Sequence, residues 1–161
     1  MTDIDIAVSD LIECVKSHGL TLAFAESLTG GLISASVVAV PGVSEFFNGA
    51  IVSYSNEVKI NTLKVPSDVI SSVGAVSAEC AEYMARGVAK ELNSDVGVSA
   101  TGIAGPDGGS DLKPVGTVYI GAYCKGNTKT ERFVFEGDRL KIREQTVIEA
   151  LKLAKDIIVN G

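Results

Sequence analysis

Segments with helical apolar spacing alternate with short apolar runs in this chain, and that alternation limits its fold more than any other feature. Helical spacing is clear after Thr2, Ser77 and Asp138, each of which can cap the helix that follows. Short, mostly apolar runs at residues 21–25 and 96–100 are typical of buried strands. Alternating helices and strands indicate parallel strands joined by crossover helices.

Two successive strand-like segments near the carboxyl end change this pattern. Residues 115–124 and 130–136 predict a hairpin, with its turn at residues 125–127. Further predicted elements are a strand at residues 46–54 and short helices at residues 56–63 and 66–72. We therefore predict one three-layer α/β/α domain over residues 1–161, with helices on both faces of a mixed sheet.

Composition and charge narrow the class of protein. Of the 161 residues, 46% are hydrophobic and 21% are charged, so the chain can bury one core. A formal net charge of -6 argues against a broad nucleic-acid surface, which needs a basic stripe. The acidic amino terminus does not fit a signal peptide, and the longest apolar stretch is too short to span a bilayer. We expect a cytoplasmic protein with no nucleic-acid or membrane partner.

Metal sites and histidine-based triads have little support. Cys14, Cys80 and Cys124 lie far apart in apolar periodic segments, so we expect buried free thiols. His18 is the only histidine and lies at the end of the first predicted helix, where it interacts favourably with the helix dipole. If a serine is the nucleophile here, its base must be another residue type.

A serine and two glycines occupy the junction between a predicted strand and a predicted helix. Residues 25–31 read Ala-Glu-Ser-Leu-Thr-Gly-Gly, and a helical apolar pattern follows at residues 32–38. This junction predicts that Ser27 lies beside unpaired backbone N–H groups at a helix start. Such a site could bind a phosphate, or it could stabilise the oxyanion formed when Ser27 attacks a carbonyl.

A candidate base lies in residues 53–59, Ser-Tyr-Ser-Asn-Glu-Val-Lys. Lys59 can accept a proton if burial or a positive helix end lowers its pKa. Tyr54 could then relay the proton between Lys59 and Ser27. The alternative is that Tyr54 packs at the end of a strand and that Lys59 is solvated.

A second glycine-rich segment, residues 99–109, follows a buried strand but matches neither a P-loop nor a dinucleotide fingerprint. Because open α/β sheets bind ligands at the carboxyl ends of their strands, Thr101 and the N–H groups near Gly102 could hold a phosphate. A turn-rich surface loop is the alternative. Arg139 and Arg143, one helical turn apart, could reach an anionic substrate or could be solvated.

Together these segments resemble the C-terminal domain of the CinA family, named for competence- and damage-inducible proteins. The resemblance covers about residues 11–151 and is carried by AESLTGG, SYSNEVK, GAVS, SATGIAGPDGGSDLKPVGTV and EGDR. The family includes stand-alone nicotinamide-nucleotide amidases. The resemblance therefore implies a compact α/β/α domain that converts nicotinamide mononucleotide to nicotinate mononucleotide and ammonia, without a metal or other cofactor.

The same resemblance implies the catalytic residues, whereas the residues that hold the substrate are our own inference. The family's catalytic serine, tyrosine and lysine fall on Ser27, Tyr54 and Lys59. We expect the pyridine mononucleotide to be held by Thr29, Gly30, Gly31, Asn56, Thr101, Gly102, Ala104, Gly105 and Arg139. A homodimer is the default expectation for such an enzyme.

Two other functions stay open at this point. The glycine-rich segments could hold a nucleotide and regulate a partner without turnover, or the substrate could be another small carboxamide or lactam. Many family members carry an additional N-terminal domain that resembles molybdopterin-binding proteins and is linked to ADP-ribose hydrolysis. These 161 residues match only the amidase region, so we do not expect that second activity from them.

Overall fold

The computed structural model describes residues 1–161, which form six α-helices, one 3₁₀ turn and five strands. The helices are α1 (Asp3–His18), α2 (Leu32–Val38), α3 (Asn56–Asn61), α4 (Ser67–Ser72), α5 (Ala78–Glu91) and α6 (Arg139–Asn160), and the 3₁₀ turn spans Val43–Glu45. The strands are β1 (Leu22–Glu26), β2 (Phe47–Val52), β3 (Val96–Gly102), β4 (Thr117–Cys124) and β5 (Asn127–Val134).

All five strands belong to one sheet, in the order β2-β1-β3-β4-β5. The central strand β1 is parallel to β2 and β3, whereas β4 runs antiparallel to β3 and to β5. Every residue of β1 is buried, as expected for a parallel strand covered on both faces. The mixed sheet predicted from the sequence is confirmed.

Helices cover both faces of this sheet. Side chains alternate between the two faces of a strand. Leu22 and Phe24 of β1 accordingly belong to one apolar cluster with residues of α1, α2 and α6. Ala23 and Ala25 belong to a second cluster, which includes Met84 of α5. The predicted three-layer α/β/α architecture is therefore also confirmed.

The close packing of α5 on the sheet depends on two glycines. A Cβ at Gly97 of β3 would lie 2.1 Å from the carbonyl oxygen of Ala85, and one at Gly121 of β4 would lie 2.5 Å from that of Ala81. Repulsion excludes such contacts, so only glycine lets the helix backbone approach the strands this closely.

All five strands differ from the prediction at one or both ends, β5 and β2 by the most. The β5 strand spans Asn127–Val134 rather than residues 130–136. Its connecting turn contains only Lys125 and Gly126, with φ of 50° and 87°, a pattern typical of a two-residue hairpin. The start was missed because β5 is an edge strand that begins with polar, partly exposed residues. The β2 strand ends at Val52, so Tyr54 lies beyond it rather than at its end.

The cysteines and the histidine agree with a structural role. The three cysteines are free and buried, as predicted. The ring Nδ1 of His18 lies 2.8 Å from the carbonyl oxygen of Cys14 at the end of α1. None of the six helices has both the length and the apolar character needed to cross a membrane.

The carboxyl ends of β1, β2 and β3 lie side by side. Glu26 at the end of β1 is in register with Val52 of β2 and with Ala100 of β3. The residues that follow β1 and β2, Ser27 and Ser53, therefore reach the same edge of the sheet.

Candidate active site

Ser27 and Lys59 are in direct contact at this edge. Lys59 Nζ lies 3.0 Å from Ser27 Oγ, although 32 residues separate the two positions. The N–H of Ser27 donates to the Ala100 carbonyl oxygen at 3.0 Å, which extends the pairing of β1 with β3 by one residue. Lys59 lies on α3, whose start is capped by the Ser55 hydroxyl accepting from the N–H of Val58. Both partners are therefore held by regular backbone structure.

The amine of Lys59 has three oxygen neighbours and no counter-ion. Besides Ser27 Oγ, Nζ donates to the carbonyl oxygens of Ser53 at 2.8 Å and Tyr54 at 3.1 Å. Lys59 is only 2% exposed and takes part in none of the ion pairs of the chain. Burial lowers the pKa of Lys59. The neighbouring Cys80 thiol supplies no negative charge, because burial raises its pKa to about 11.

These contacts aim the lone pair of the neutral amine at the serine. A neutral amine has two N–H bonds and one lone pair, whereas a carbonyl oxygen can only accept a hydrogen bond. The carbonyls of Ser53 and Tyr54 therefore take the two hydrogens. The remaining direction faces Ser27 Oγ, so the hydroxyl of Ser27 donates to the nitrogen when Lys59 is uncharged. This arrangement can withdraw the serine proton as the oxygen attacks.

The start of α2 is occupied by Glu26, which corrects the prediction of unpaired N–H groups there. Its Oε1 accepts from the N–H of Gly31 at 3.2 Å and of Ile33 at 2.9 Å, and its Oε2 accepts from that of Ser34 at 3.0 Å. Glu26 is completely buried. The carboxylate of the residue before Ser27 thus satisfies the helix start that was expected to bind a phosphate or to stabilise an oxyanion.

Two unpaired N–H groups remain, one step closer to Ser27. The carbonyl of Ser27 accepts from the N–H of Gly30 at 3.1 Å, which closes a tight turn. Within this turn the N–H groups of Leu28 and Thr29 have no acceptor in the protein. Both Gly30 and Gly31 have positive φ, 58° and 108°, which a residue with a Cβ adopts only with strain. Two free donors next to a nucleophile form the kind of site that stabilises an oxyanion.

A cavity of about 190 Å³ opens above the Ser27–Lys59 pair. Its walls are formed by Ser27, Leu28, Tyr54, Asn56, Lys59, Ala75, Val76, Thr101, Gly102, Ala104 and Arg139. No carboxylate lines it, and Arg139 is its one arginine. A larger concavity of about 390 Å³, between α1 and α6, contains the ion pairs Lys152–Glu149 and Lys155–Asp10 and no serine, threonine or cysteine that could act as a nucleophile. We therefore take the smaller cavity as the candidate site.

Most of the site residues named from the sequence line this cavity. Those residues are Ser27, Tyr54, Asn56, Lys59, Thr101, Gly102, Ala104 and Arg139. Thr29, Gly30, Gly31 and Gly105 do not form its walls. Thr29 is fully buried, and its Oγ1 is a buried side-chain atom without a hydrogen-bond partner. Gly105 supports the site indirectly, since its carbonyl accepts from Arg139 Nη1 at 2.8 Å.

Three wall residues were not predicted. Leu28 directly follows Ser27 and contributes its backbone N–H to the site. Its apolar side chain gave no reason to predict it as a site residue. Ala75 and Val76 belong to the GAVS segment, which carried the family resemblance but no assigned role. The Ala75 carbonyl accepts from Thr101 Oγ1 at 2.9 Å, which joins this segment to β3.

Tyr54 does not lie between Lys59 and Ser27, because those two side chains touch directly. The side chain of Tyr54 is 61% exposed, and its hydroxyl accepts from Arg139 Nη2 at 3.2 Å. Only the backbone carbonyl of Tyr54 contacts Lys59. The predicted proton relay through its phenol is therefore absent from this arrangement.

The two arginines of α6 also have different surroundings. Arg139 is exposed and lines the cavity, where it can meet an anion. Arg143 is half-buried, is not part of the cavity wall, and donates to the carbonyl oxygens of Leu28 and Thr29. The sequence left two roles open for Arg143, substrate contact and solvation. The structure shows neither, because its guanidinium group is bound to backbone carbonyls.

The fold and the site define an α/β/α domain with a buried serine–lysine pair at the carboxyl edge of a mixed sheet. The family described as the CinA C-terminal domain matches residues 5–158, and the chain belongs to that family. A CinA-like protein of Dictyoglomus thermophilum is 49% identical over 150 residues, or 93% of this chain and 36% of the relative. The chain thus spans about a third of the length of that relative.

Solved structures agree with this assignment over the whole chain. A competence-damaged protein (CinA) superfamily protein from Klebsiella pneumoniae superposes with a TM-score of 0.94 at 28% identity, covering 99% of this chain and 100% of the other. The competence/damage inducible protein CihA from Agrobacterium tumefaciens superposes with a TM-score of 0.92 at 34% identity, covering 95% and 94%. The resemblance to the CinA family seen in the sequence is confirmed.

Proposed function

We propose that this domain is an amidohydrolase that uses Ser27 as nucleophile and Lys59 as base, with nicotinamide mononucleotide as its substrate. The observation that carries the proposal is the contact of Lys59 Nζ with Ser27 Oγ, with both other amine neighbours being carbonyl oxygens. A domain that only binds a nucleotide has no need of a buried amine without a counter-ion beside a serine, since burying it costs free energy.

The reaction has two halves. Ser27 Oγ attacks the carboxamide carbon as its proton passes to Lys59, and the carbonyl oxygen becomes an oxyanion that accepts from the N–H groups of Leu28 and Thr29. Lys59 then gives the proton to the amide nitrogen, the carbon–nitrogen bond breaks, and ammonia leaves an ester on Ser27. A water molecule, deprotonated by Lys59, attacks the ester, and Ser27 leaves with the proton as the carboxylate product forms.

Phosphate recognition is proposed for the other end of the cavity. The resemblance to stand-alone nicotinamide-nucleotide amidases suggests a pyridine mononucleotide, and a cavity with an arginine and no carboxylate suits its charge. Thr101 Oγ1 already donates to Ala75, so its hydrogen is committed. The N–H of Ala104 has no acceptor in the protein. We assign the phosphate to Arg139 with this N–H group rather than to the Thr101 hydroxyl.

Ammonia release from nicotinamide, its riboside and its mononucleotide tests the proposal. The wild-type protein should release ammonia fastest from the mononucleotide, with EDTA present and no metal added, and Ser27→Ala should release it at least about 100-fold more slowly. Faster release from another carboxamide or lactam would keep the reaction and change the substrate. If the protein binds the mononucleotide but releases ammonia from no amide, it is a nucleotide-binding module rather than an enzyme.

A further inference from the structure

One side chain of α6 reaches the turn that follows Ser27. Arg143 Nε donates to the carbonyl oxygen of Leu28 at 3.0 Å, and Nη2 donates to that of Thr29 at 2.8 Å. The contact joins positions 115 and 114 residues apart in sequence. A guanidinium group is planar and always charged, so two such bonds fix both carbonyls relative to α6.

Fixing those carbonyls also fixes the donors on the opposite sides of the same peptide groups. In a trans peptide the C=O of one residue and the N–H of the next point in opposite directions. Holding the carbonyl of Leu28 on Arg143 therefore directs the N–H of Thr29 away from α6. Holding the carbonyl of Thr29 on Arg143 likewise directs the N–H of Gly30, which donates to the carbonyl of Ser27 and so directs the N–H of Leu28. The N–H groups of Leu28 and Thr29 are the unpaired donors of the turn.

The positive charge of Arg143 also favours oxyanion binding by these N–H groups. A carbonyl that accepts from a cation polarises its peptide group, and the N–H of that group becomes a stronger donor. Glu26 holds the following segment from the other side, through Gly31 and Ile33. The turn is thus held between a carboxylate and a guanidinium group, neither of which forms a wall of the cavity.

We propose that Arg143 is a positioning residue that keeps the N–H groups of Leu28 and Thr29 directed at the oxyanion, an inference that rests on the proposed function. Arg143 contacts no reacting atom, so its loss should lower kcat and leave KM nearly unchanged. The expected loss of kcat is about 10- to 100-fold, below the loss on removing an oxyanion donor itself.

A fluorophosphonate probe measures this effect independently of the natural substrate. Ser27 Oγ forms a bond to phosphorus, its proton passes to Lys59, fluoride leaves, and the phosphoryl oxygen occupies the oxyanion position. The rate at which Ser27 gains the phosphonyl group is followed by intact-protein mass spectrometry for the wild type, Arg143→Met and Arg143→Lys. Arg86→Met is the matched control, since Arg86 pairs with Glu82 on the surface of α5.

The expected result is labelling of Ser27 about 10- to 100-fold slower in Arg143→Met, smaller slowing in Arg143→Lys, and no change in Arg86→Met. Added guanidinium ion should restore part of the rate in Arg143→Ala, which a purely structural loss would not allow. If Arg143→Met unfolds, the Arg143→Lys rate and this rescue decide the question.

Two results would overturn the proposal and are distinguishable. Labelling of Arg143→Met at the wild-type rate, with ammonia release also unchanged, would remove the positioning role and leave the proposed reaction intact. Failure of the wild-type protein to react at Ser27 would remove both the oxyanion site and the proposed amidase. A higher KM with unchanged kcat in Arg143→Met would also contradict the inference, because it would place Arg143 in substrate binding.

Discussion

Glu26 and Ser27 are adjacent in the chain, but the carboxylate of Glu26 binds the start of α2 while the hydroxyl of Ser27 faces Lys59. Successive residues at the end of a strand point in opposite directions, so one short segment supplies both a helix cap and a nucleophile. The helix start is thereby removed from the cavity, and the Ser27 turn supplies the free donors.

Replacing Glu26 should destabilise the domain. Glu26→Gln keeps the shape but places an NH₂ group where the N–H groups of α2 need an acceptor, which should cost about 1–3 kcal/mol in the free energy of unfolding. Glu26→Ala should cost about 2–4 kcal/mol, because it also leaves an unfilled buried volume. Urea unfolding measures both, with the exposed Glu91→Gln as control. A change below about 0.5 kcal/mol in Glu26→Gln would show that the cap matters little.

Ser27 and Lys59 should behave as a unit in kinetics. Ser27→Ala and Lys59→Met should each reduce ammonia release by about 100- to 10,000-fold, and the double variant should lose little more. Lys59→Arg should not recover activity, because a guanidinium group stays protonated and has no lone pair to offer. The exposed Lys90→Met is the control. A mild Lys59→Met phenotype would place the base on another residue.

The pH dependence of the rate should follow from the burial of Lys59. Burial lowers the pKa of the ammonium form, and only the neutral amine can accept the serine proton. The rate should therefore rise with pH through a pKa that lies below the ordinary lysine value of about 10.4. A profile of kcat/KM against pH measures this pKa. A rising limb at the ordinary lysine value would mean that the amine is solvated in the working enzyme.

The free energy of unfolding of the domain should also depend on pH through Lys59. Lys59 has a lower pKa in the folded protein than in the unfolded chain. At pH values between these two pKa values, Lys59 is neutral in the folded protein and protonated in the unfolded chain. The free energy of unfolding therefore gains a contribution as pH rises through that interval, and the contribution is absent below the folded pKa. The difference between wild type and Lys59→Met, measured by urea unfolding at several pH values, isolates it from other groups. An equal pH dependence in both proteins would contradict the lowered pKa.

The architecture followed from local sequence signals, with small errors at strand ends. Apolar periodicity and caps such as Ser77 and Asp138 locate the helices, because the side chains that cap a helix are close to it in sequence. The polar start of β5 was missed because none of the residues of this edge strand is buried, so no apolar pattern marks where it begins. The pairing register of the strands and the contacts of side chains across the sheet depend on residues far apart in sequence. No local sequence pattern predicts them.

The candidate site was predictable in its residue types but not in its contacts. Ser27 and Lys59 were candidates from the local pattern and received their roles from the family resemblance, whereas their 3.0 Å contact depends on how the fold brings α3 to the end of β1. The N–H donors that bind Glu26 and the carbonyl acceptors of Arg143 also lie beyond sequence reasoning, since a buried charged side chain and a solvated one look identical in a sequence. Tyr54 shows the opposite error, because a role suited to its phenol was assigned while its backbone carbonyl makes the contact with Lys59.

Tyr54→Phe distinguishes the phenol of Tyr54 from its backbone. Phenylalanine keeps the carbonyl that accepts from Lys59 and removes only the hydroxyl that accepts from Arg139. We expect kcat to fall by no more than about 10-fold, far less than in Lys59→Met. Steady-state ammonia release measures both variants in one assay. A loss as large as that of Lys59→Met would restore the proton relay and require the ring to move inward when substrate binds.

Arg139 should determine the preference for a phosphorylated substrate. Its guanidinium has five N–H donors, and the protein uses two of its nitrogens, on Gly105 and Tyr54. Arg139→Met should lower kcat/KM for nicotinamide mononucleotide by about 10- to 100-fold, the range of a lost charge-assisted pair. The riboside lacks the phosphate, so its kcat/KM should change little and serves as the internal control. Equal losses for the two substrates would show that Arg139 supports the site through Gly105 and Tyr54 rather than binding the phosphate.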